Sequence, residues 1–205
     1  MKADLATVSR LALASGLAGL GLGGACLWLG LSEGAIALWG FGGASLLQVP
    51  PALSLRGRIQ DGLGNSGLER ERLTFRAVSY LMRCLALGMA MASVSALLGG
   101  RVPQPSSITL GLVLLAFALQ AGLWSVKRGL TGIHPALDMD GTRSRTMLEL
   151  AALLLAGSLL GRWFSWADAF TGLALALRLF LAGRTLAKAS TLQAAACGGC
   201  GGGCH

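Results

Sequence analysis

The chain has 205 residues, 54% of them hydrophobic and 13% charged, with a mean hydropathy of +0.65, too apolar for an ordinary soluble domain and indicative of an integral membrane protein set in the lipid bilayer. The formal charge of +8 does not indicate nucleic acid, because Lys and Arg lie between apolar runs with no aromatic-basic platform beside them. No Ser-His-Asp constellation, HExxH, P-loop or dinucleotide fingerprint is present, and two histidines leave little for acid-base hydrolysis, so the sequence does not point to an enzyme.

Six apolar runs predict an all-α membrane bundle over residues 1–188, with helices near 8–31, 34–55, 77–100, 108–128, 143–161 and 165–186. The first run is uncharged and carries Gly16, Gly19 and Gly23 at a spacing suited to close helix contact. A cleaved signal peptide is the competing reading there, and Asp4 in the leader counts against it. Pro50 and Pro51 in the second run remove backbone donors and predict a kink or break in its second half. Residues 56–76, with Gly62, Gly64 and Gly67 at their centre, read as a flexible loop. The third run contains Arg83, and the fourth ends at Lys127-Arg128.

Charge sets the expected orientation. With a cytoplasmic N-terminus, the inside segments hold most of the Lys and Arg, while the outside segments hold Arg101 and Arg162, and Arg83 and Arg178 lie within runs. Both termini are therefore expected in the cytoplasm, with the chain a multi-pass protein of a bacterial inner membrane.

The last two runs meet at the aromatic turn Gly161-Arg162-Trp163-Phe164-Ser165-Trp166, whose rings suit a bilayer boundary. Ser165 followed by Asp168 reads as a helix start, with the carboxylate as a cap favoured by the helix dipole and a ligand role as the alternative. The polar segment with Asp140, the helix after it, the turn, and then WADAFTGLALALRLFLAGRTL resemble the last two transmembrane helices of the cation diffusion facilitator (cation efflux) family. The resemblance spans roughly residues 8–186, and the family's usual cytoplasmic domain has no counterpart. It implies a six-helix bundle of cation efflux type that moves divalent or soft transition-metal ions, zinc-like, out of the cytoplasm by proton antiport. It also implies a homodimer or a heterodimer with a paralogue. The alternative is a non-transporting membrane scaffold or accessory subunit.

In that family four ligands sit on two helices, paired four residues apart so that both face one side. Here the corresponding positions carry Phe41, Ser45, Arg143 and Met147. An aromatic ring, a hydroxyl, a cation and a thioether cannot hold a bare divalent ion. A transport pathway would then draw on Glu149, Asp140, Asp138 and His134. Glu149, inside the fifth run, is a proton acceptor or substitute ligand, or else an ion-pair partner of Arg83 or Arg178. His134, Asp138 and Asp140 either gather a cation at the cytoplasmic mouth or are loop residues around Pro135, one of them capping the helix.

Residues 189–205 form a Gly/Cys-rich tail containing Cys197, Cys200, Cys204 and His205, a donor set suited to zinc or copper(I). The alternative is a Gly-rich end with incidental cysteines. No covalently bound cofactor is expected. Cys26 and Cys84 read as small apolar helix residues.

Overall fold

A computed structural model describes residues 5–60, 68–100, 106–129 and 135–198, the side chains of 5–7, 58, 68, 135–136 and 189–198 excepted. Seven helices account for nearly all of the described residues, and no strand occurs among them. They are α1 (Leu5–Glu33), α2 (Ile36–Leu46), α3 (Val49–Gln60), α4 (Leu68–Gly99), α5 (Ser107–Arg128), α6 (Pro135–Leu160) and α7 (Ala167–Gly198). Five stretches are long and apolar enough to cross a bilayer: Val8–Glu33, Ile36–Gly57, Glu69–Gly99, Ser107–Arg128 and Ala167–Lys188. The chain is thus an all-helical membrane protein.

The second run divides where the prolines require it. Pro50 and Pro51 have no N–H to offer the carbonyls of Leu46 and Leu47, so α2 ends at Leu46. Both prolines then fall in the first turn of α3, where a missing N–H costs little. The segment 56–76 is more helical than expected: α3 runs on to Gln60, and α4 begins at Leu68 with Glu69 and Glu71 in its first turn. Arg, Glu and Leu are good helix formers, and acidic groups at a helix start suit its dipole. Residues 61–67 lie outside the described set. The polar segment before the fifth run is also helix rather than loop, because α6 starts at Pro135 and carries Asp138 in its first turn.

Of the six expected crossings, the fifth does not meet the same measure of length and apolarity. Its apolar part, residues 146–160, occupies only the second half of α6, and Asp138, Asp140, Arg143 and Arg145 occupy the first. Helix α6 nevertheless belongs to the core, where Met147, Leu150 and Leu154 are buried beside Phe41, Met89 and Leu179.

Close approaches fix how the helices run. Gly30 lies against Trp39, Gly19 against Ser45 and Gly16 against Ala52, so α1 runs antiparallel to α2 and α3. Gly172 meets Ser93 and Gly183 meets Ser79, which makes α4 and α7 antiparallel. Gly157 against Thr171 marks the expected α6–α7 hairpin. Its turn closes with Trp163 N–H to the Leu160 carbonyl at 2.9 Å and Ala167 N–H to the Phe164 carbonyl at 3.1 Å. Trp163, Phe164 and Trp166 are exposed there. Gly34, at φ +69, gives α1 the left-handed residue that ends it, and Ala35 N–H closes the cap on the Gly30 carbonyl at 2.9 Å.

One end of the bundle therefore gathers Glu33, Ile36, Ser106 and the aromatic turn, and the other gathers Arg10, Gln60, Lys127 and Asp140. Every described Lys and Arg except Arg83, Arg162 and Arg178 lies toward the second end.

Packing at α1–α2 depends on absent side chains. A Cβ on Gly42 would stand 2.5 Å from Leu27 N and 2.8 Å from the Gly23 carbonyl oxygen, both backbone atoms that cannot yield cheaply. Gly42→Ala is expected to lower stability by about 1–3 kcal/mol in detergent unfolding. Gly21→Ala, with nothing within 4 Å, is expected to be neutral or slightly stabilising through helix propensity; equal losses at both positions would contradict the close contact.

Candidate functional site

The break between α2 and α3 places Gln48 at an irregular piece of backbone inside the bundle. Its carbonyl accepts from Ala52 N–H at 3.2 Å and from Arg143 Nη2 of α6 at 3.4 Å. Beside it lies a cavity of about 280 Å³, lined by Gln48, by Met82 of α4, by Asp138, Met139, Thr142, Arg143, Thr146 and Met147 of α6, and by Ala182, Thr185 and Leu186 of α7. Three thioethers and several aliphatic groups make the lining mainly apolar. Arg143 is its permanent cation, since a guanidinium does not lose its charge in a protein. The Arg143 Nε is buried without a hydrogen-bond partner.

The four positions that the family resemblance singles out do not form one cluster on this cavity. Arg143 and Met147, one turn apart on α6, both line it. Phe41 is 1% exposed in the apolar core. Ser45 is fully buried, and its hydroxyl has no partner.

The other candidate residues are spread over different places. Asp138 lines the cavity and is exposed. Asp140 turns to the next helix, where its Oδ2 lies 2.7 Å from Lys127 Nζ of α5, a lysine only 5% exposed. Glu149 lies on another face of α6. Its carboxylate pairs with Arg178 of α7, whose Nε donates at 2.7 Å and whose amino group donates to the same oxygen. Arg145, one turn earlier, donates to the other Glu149 oxygen at 3.2 Å. Arg83 does not join this group; it donates to Ser79 Oγ at 3.0 Å and lies over the Tyr80 ring. His134, Cys200, Cys204 and His205 lie outside the described residues, as does the Cys197 side chain in the last turn of α7. Among the described residues no group of three or more His, Cys, Asp or Glu is placed to hold a metal ion.

Asp168 is a cap, but not of its own helix. Its carboxylate reaches α2, accepting Ile36 N–H at 2.9 Å and Ala37 N–H at 3.3 Å. Helix α2 needs this, because its own N-cap residue, Ala35, makes no side-chain bond. The sequence reading of Asp168 expected a local role, and the backbone donors it meets are 132 and 131 residues away.

Glu33 has a comparable role that sequence reasoning missed. At the end of α1, it accepts from Ser106 Oγ and Thr109 Oγ1, both at 2.6 Å. Ser106 is meanwhile the N-cap of α5, accepting Thr109 N–H at 3.2 Å. The Ser-x-x-Thr spacing signals the cap in the sequence; nothing local signals the carboxylate. Likewise, nothing in the sequence brings Met82 and Met139 to the cavity that Met147 lines.

No protein-family model matches the chain, and no curated protein matches it.

Removing the inter-helix cap should loosen α2 specifically. Asp168→Ala is expected to cost about 0.5–2 kcal/mol and to speed hydrogen exchange at the Ile36 and Ala37 amides, with Asp168→Asn intermediate; unchanged exchange there would rule out the cap. For the α6–α7 ion pair, Glu149→Ala and Arg178→Ala are each expected to destabilise, with a double-mutant coupling of roughly 1 kcal/mol. Additive effects in detergent unfolding would mean that the pair does not link the helices.

Proposed function

We propose that the chain is a membrane carrier on a bundle of the cation efflux type, with six crossings and both termini in the cytoplasm, and that its solute enters through the cavity beside the broken α2–α3 helix. The sixth crossing is α6: its apolar half packs in the core, and its charged half lies toward the basic end of the bundle. Clustering of Lys and Arg at that end supports a cytoplasmic location for it.

The observation that carries the proposal is the cavity bounded by a discontinuous helix. Irregular backbone at membrane depth is tolerated where it lines a cavity, and proline-interrupted segments mark solute sites in carriers. On the resemblance alone the cargo is a transition-metal ion leaving the cytoplasm. The thioethers of Met82, Met139 and Met147 favour a soft monovalent ion over a hard divalent one within that class, and the Arg143 charge weighs against any cation.

The non-transporting reading has an observation of its own. Glu33, Asp140, Glu149 and Asp168 each hold a neighbouring helix, as expected of a scaffold that uses its acidic groups for assembly.

Transport decides between these readings. In proteoliposomes given zinc, cadmium, copper(I) or octanoate, flux of at least one above that of protein-free liposomes is expected, and this excess is reduced about tenfold or more by Thr146→Trp, which fills the cavity. A folded protein that moves none of the four leaves the accessory role standing.

A further inference from the structure

The cavity has a feature that a cation site lacks. Its permanent charge is positive, it stands on α6 four residues from Met147, and part of that charged group is unsatisfied: Arg143 Nε is buried without a partner, while Nη2 makes one long bond of 3.4 Å to the Gln48 carbonyl. The carboxylate of Asp140 lies 2.7 Å from Lys127 Nζ and lines a small pocket with Arg143, so one carboxylate is shared between two cations and leaves the guanidinium Nε without a hydrogen bond. Asp138 also lines the cavity but is exposed to the exterior. Deeper in, Met82 and Met147 are 5% and 1% exposed and present thioethers and methylenes.

A half-buried guanidinium whose buried Nε is an open donor is completed by anionic oxygen, to which it bonds as a planar fork. The space of about 280 Å³ equals roughly nine water-sized units, at about 30 Å³ each. A bare inorganic anion would leave the methionine-lined part unfilled, and a wholly apolar molecule would leave the donor unmet. We infer that this cavity binds a small organic anion with an apolar body, its oxygens on Arg143 and its body between Met82, Met139 and Met147. The inference rests on the carrier reading for its role in transport, and it names the solute class at that same site: the position that holds a metal ligand in the resembled family here selects the opposite charge. A free alkyl carboxylate and the acidic headgroup and chain of a lipid share this chemistry.

The test measures binding apart from transport. The full chain in phosphatidylcholine nanodiscs is titrated with octanoate, octyltrimethylammonium and copper(I). Octanoate is expected to bind and the alkyl cation not to bind. Arg143→Gln is expected to weaken octanoate about tenfold or more, with Arg143→Lys between the two, and Thr146→Trp is expected to abolish binding. Equal affinity for the alkyl cation, full octanoate affinity in folded Arg143→Gln protein, or copper(I) binding without octanoate binding overturns the inference. Should Arg143→Gln fail to fold, the contrast between octanoate and octyltrimethylammonium in the unaltered protein decides alone. Repeating the titration with phosphatidylglycerol identifies the source: competition points to the lipid, and its absence to the free acid. Octanoate binding in nanodiscs with no protein-dependent flux of octanoate, zinc, cadmium or copper(I) in proteoliposomes defeats the carrier reading alone. Copper(I) flux without octanoate binding defeats the anion site alone.

Discussion

Four carboxylates, each reaching from its own helix to another, set the arrangement on which this bundle depends. Glu33 joins α1 to α5, Asp140 joins α6 to α5, Glu149 joins α6 to α7, and Asp168 joins α7 to α2. In lipid the helices gain little from burying apolar surface against one another, so close packing and polar contacts between helices must supply the specificity. The glycine contacts between α1 and α2 and between α4 and α7 serve the first need. The carboxylates serve the second, and they do so without a chain of buried lone charges, because each meets a cation, hydroxyls or backbone donors. Glu149 and Arg178 are each about one-third exposed, so solvent or headgroup screening discounts their attraction, and their value lies more in fixing the register of the hairpin than in raw stability.

The same use of acidic groups shapes the cavity. Asp140 is shared between Lys127, at 2.7 Å, and Arg143, with which it lines a small pocket, while Glu149 is held by Arg178 on another face of α6. The opening itself follows from two prolines: once α2 stops at Leu46, the chain must restart as α3, and the junction leaves the Gln48 carbonyl facing the guanidinium. Local backbone chemistry and long-range charge pairing thus converge on one place, the cavity at the basic end of the molecule.

Much of the architecture is legible in the sequence because it is local. The lengths of the apolar runs, the proline break, and the aromatic turn between the last two runs each depend on residues near in the chain, and each has its counterpart in the helices. Residues 56–76 were harder to read, since the glycines at their centre suggest a loop while the flanking Arg, Glu and Leu extend the helices on both sides. For α6 the same charges that make its first half look like a loop still fit a helix, and they also keep it below the apolarity of the other spans. The partners of the charged residues were not legible. Glu149 had two equally placed arginines to choose from on paper, Arg83 and Arg178, and only the hairpin geometry selects Arg178. Asp168 carries a sound capping signal for its own helix and spends it on α2, because the two N-termini stand side by side and Ala35 has no side-chain oxygen to offer.

A family resemblance carried by small apolar residues describes a backbone, not what the backbone holds. Helix spacing tolerates Ala, Gly and Leu in many orders, whereas a metal cage needs donor atoms converging from about four points. At those points this chain has Phe41 filling the core, Ser45 buried among close-packed helices, and Arg143 and Met147 facing a cavity. The first two belong to the packed core and the last two to a cavity, so the four positions do not surround one point. Helix pattern and site chemistry are thus separate questions, and in this chain the charge that would repel a metal ion, Arg143, stands on the cavity.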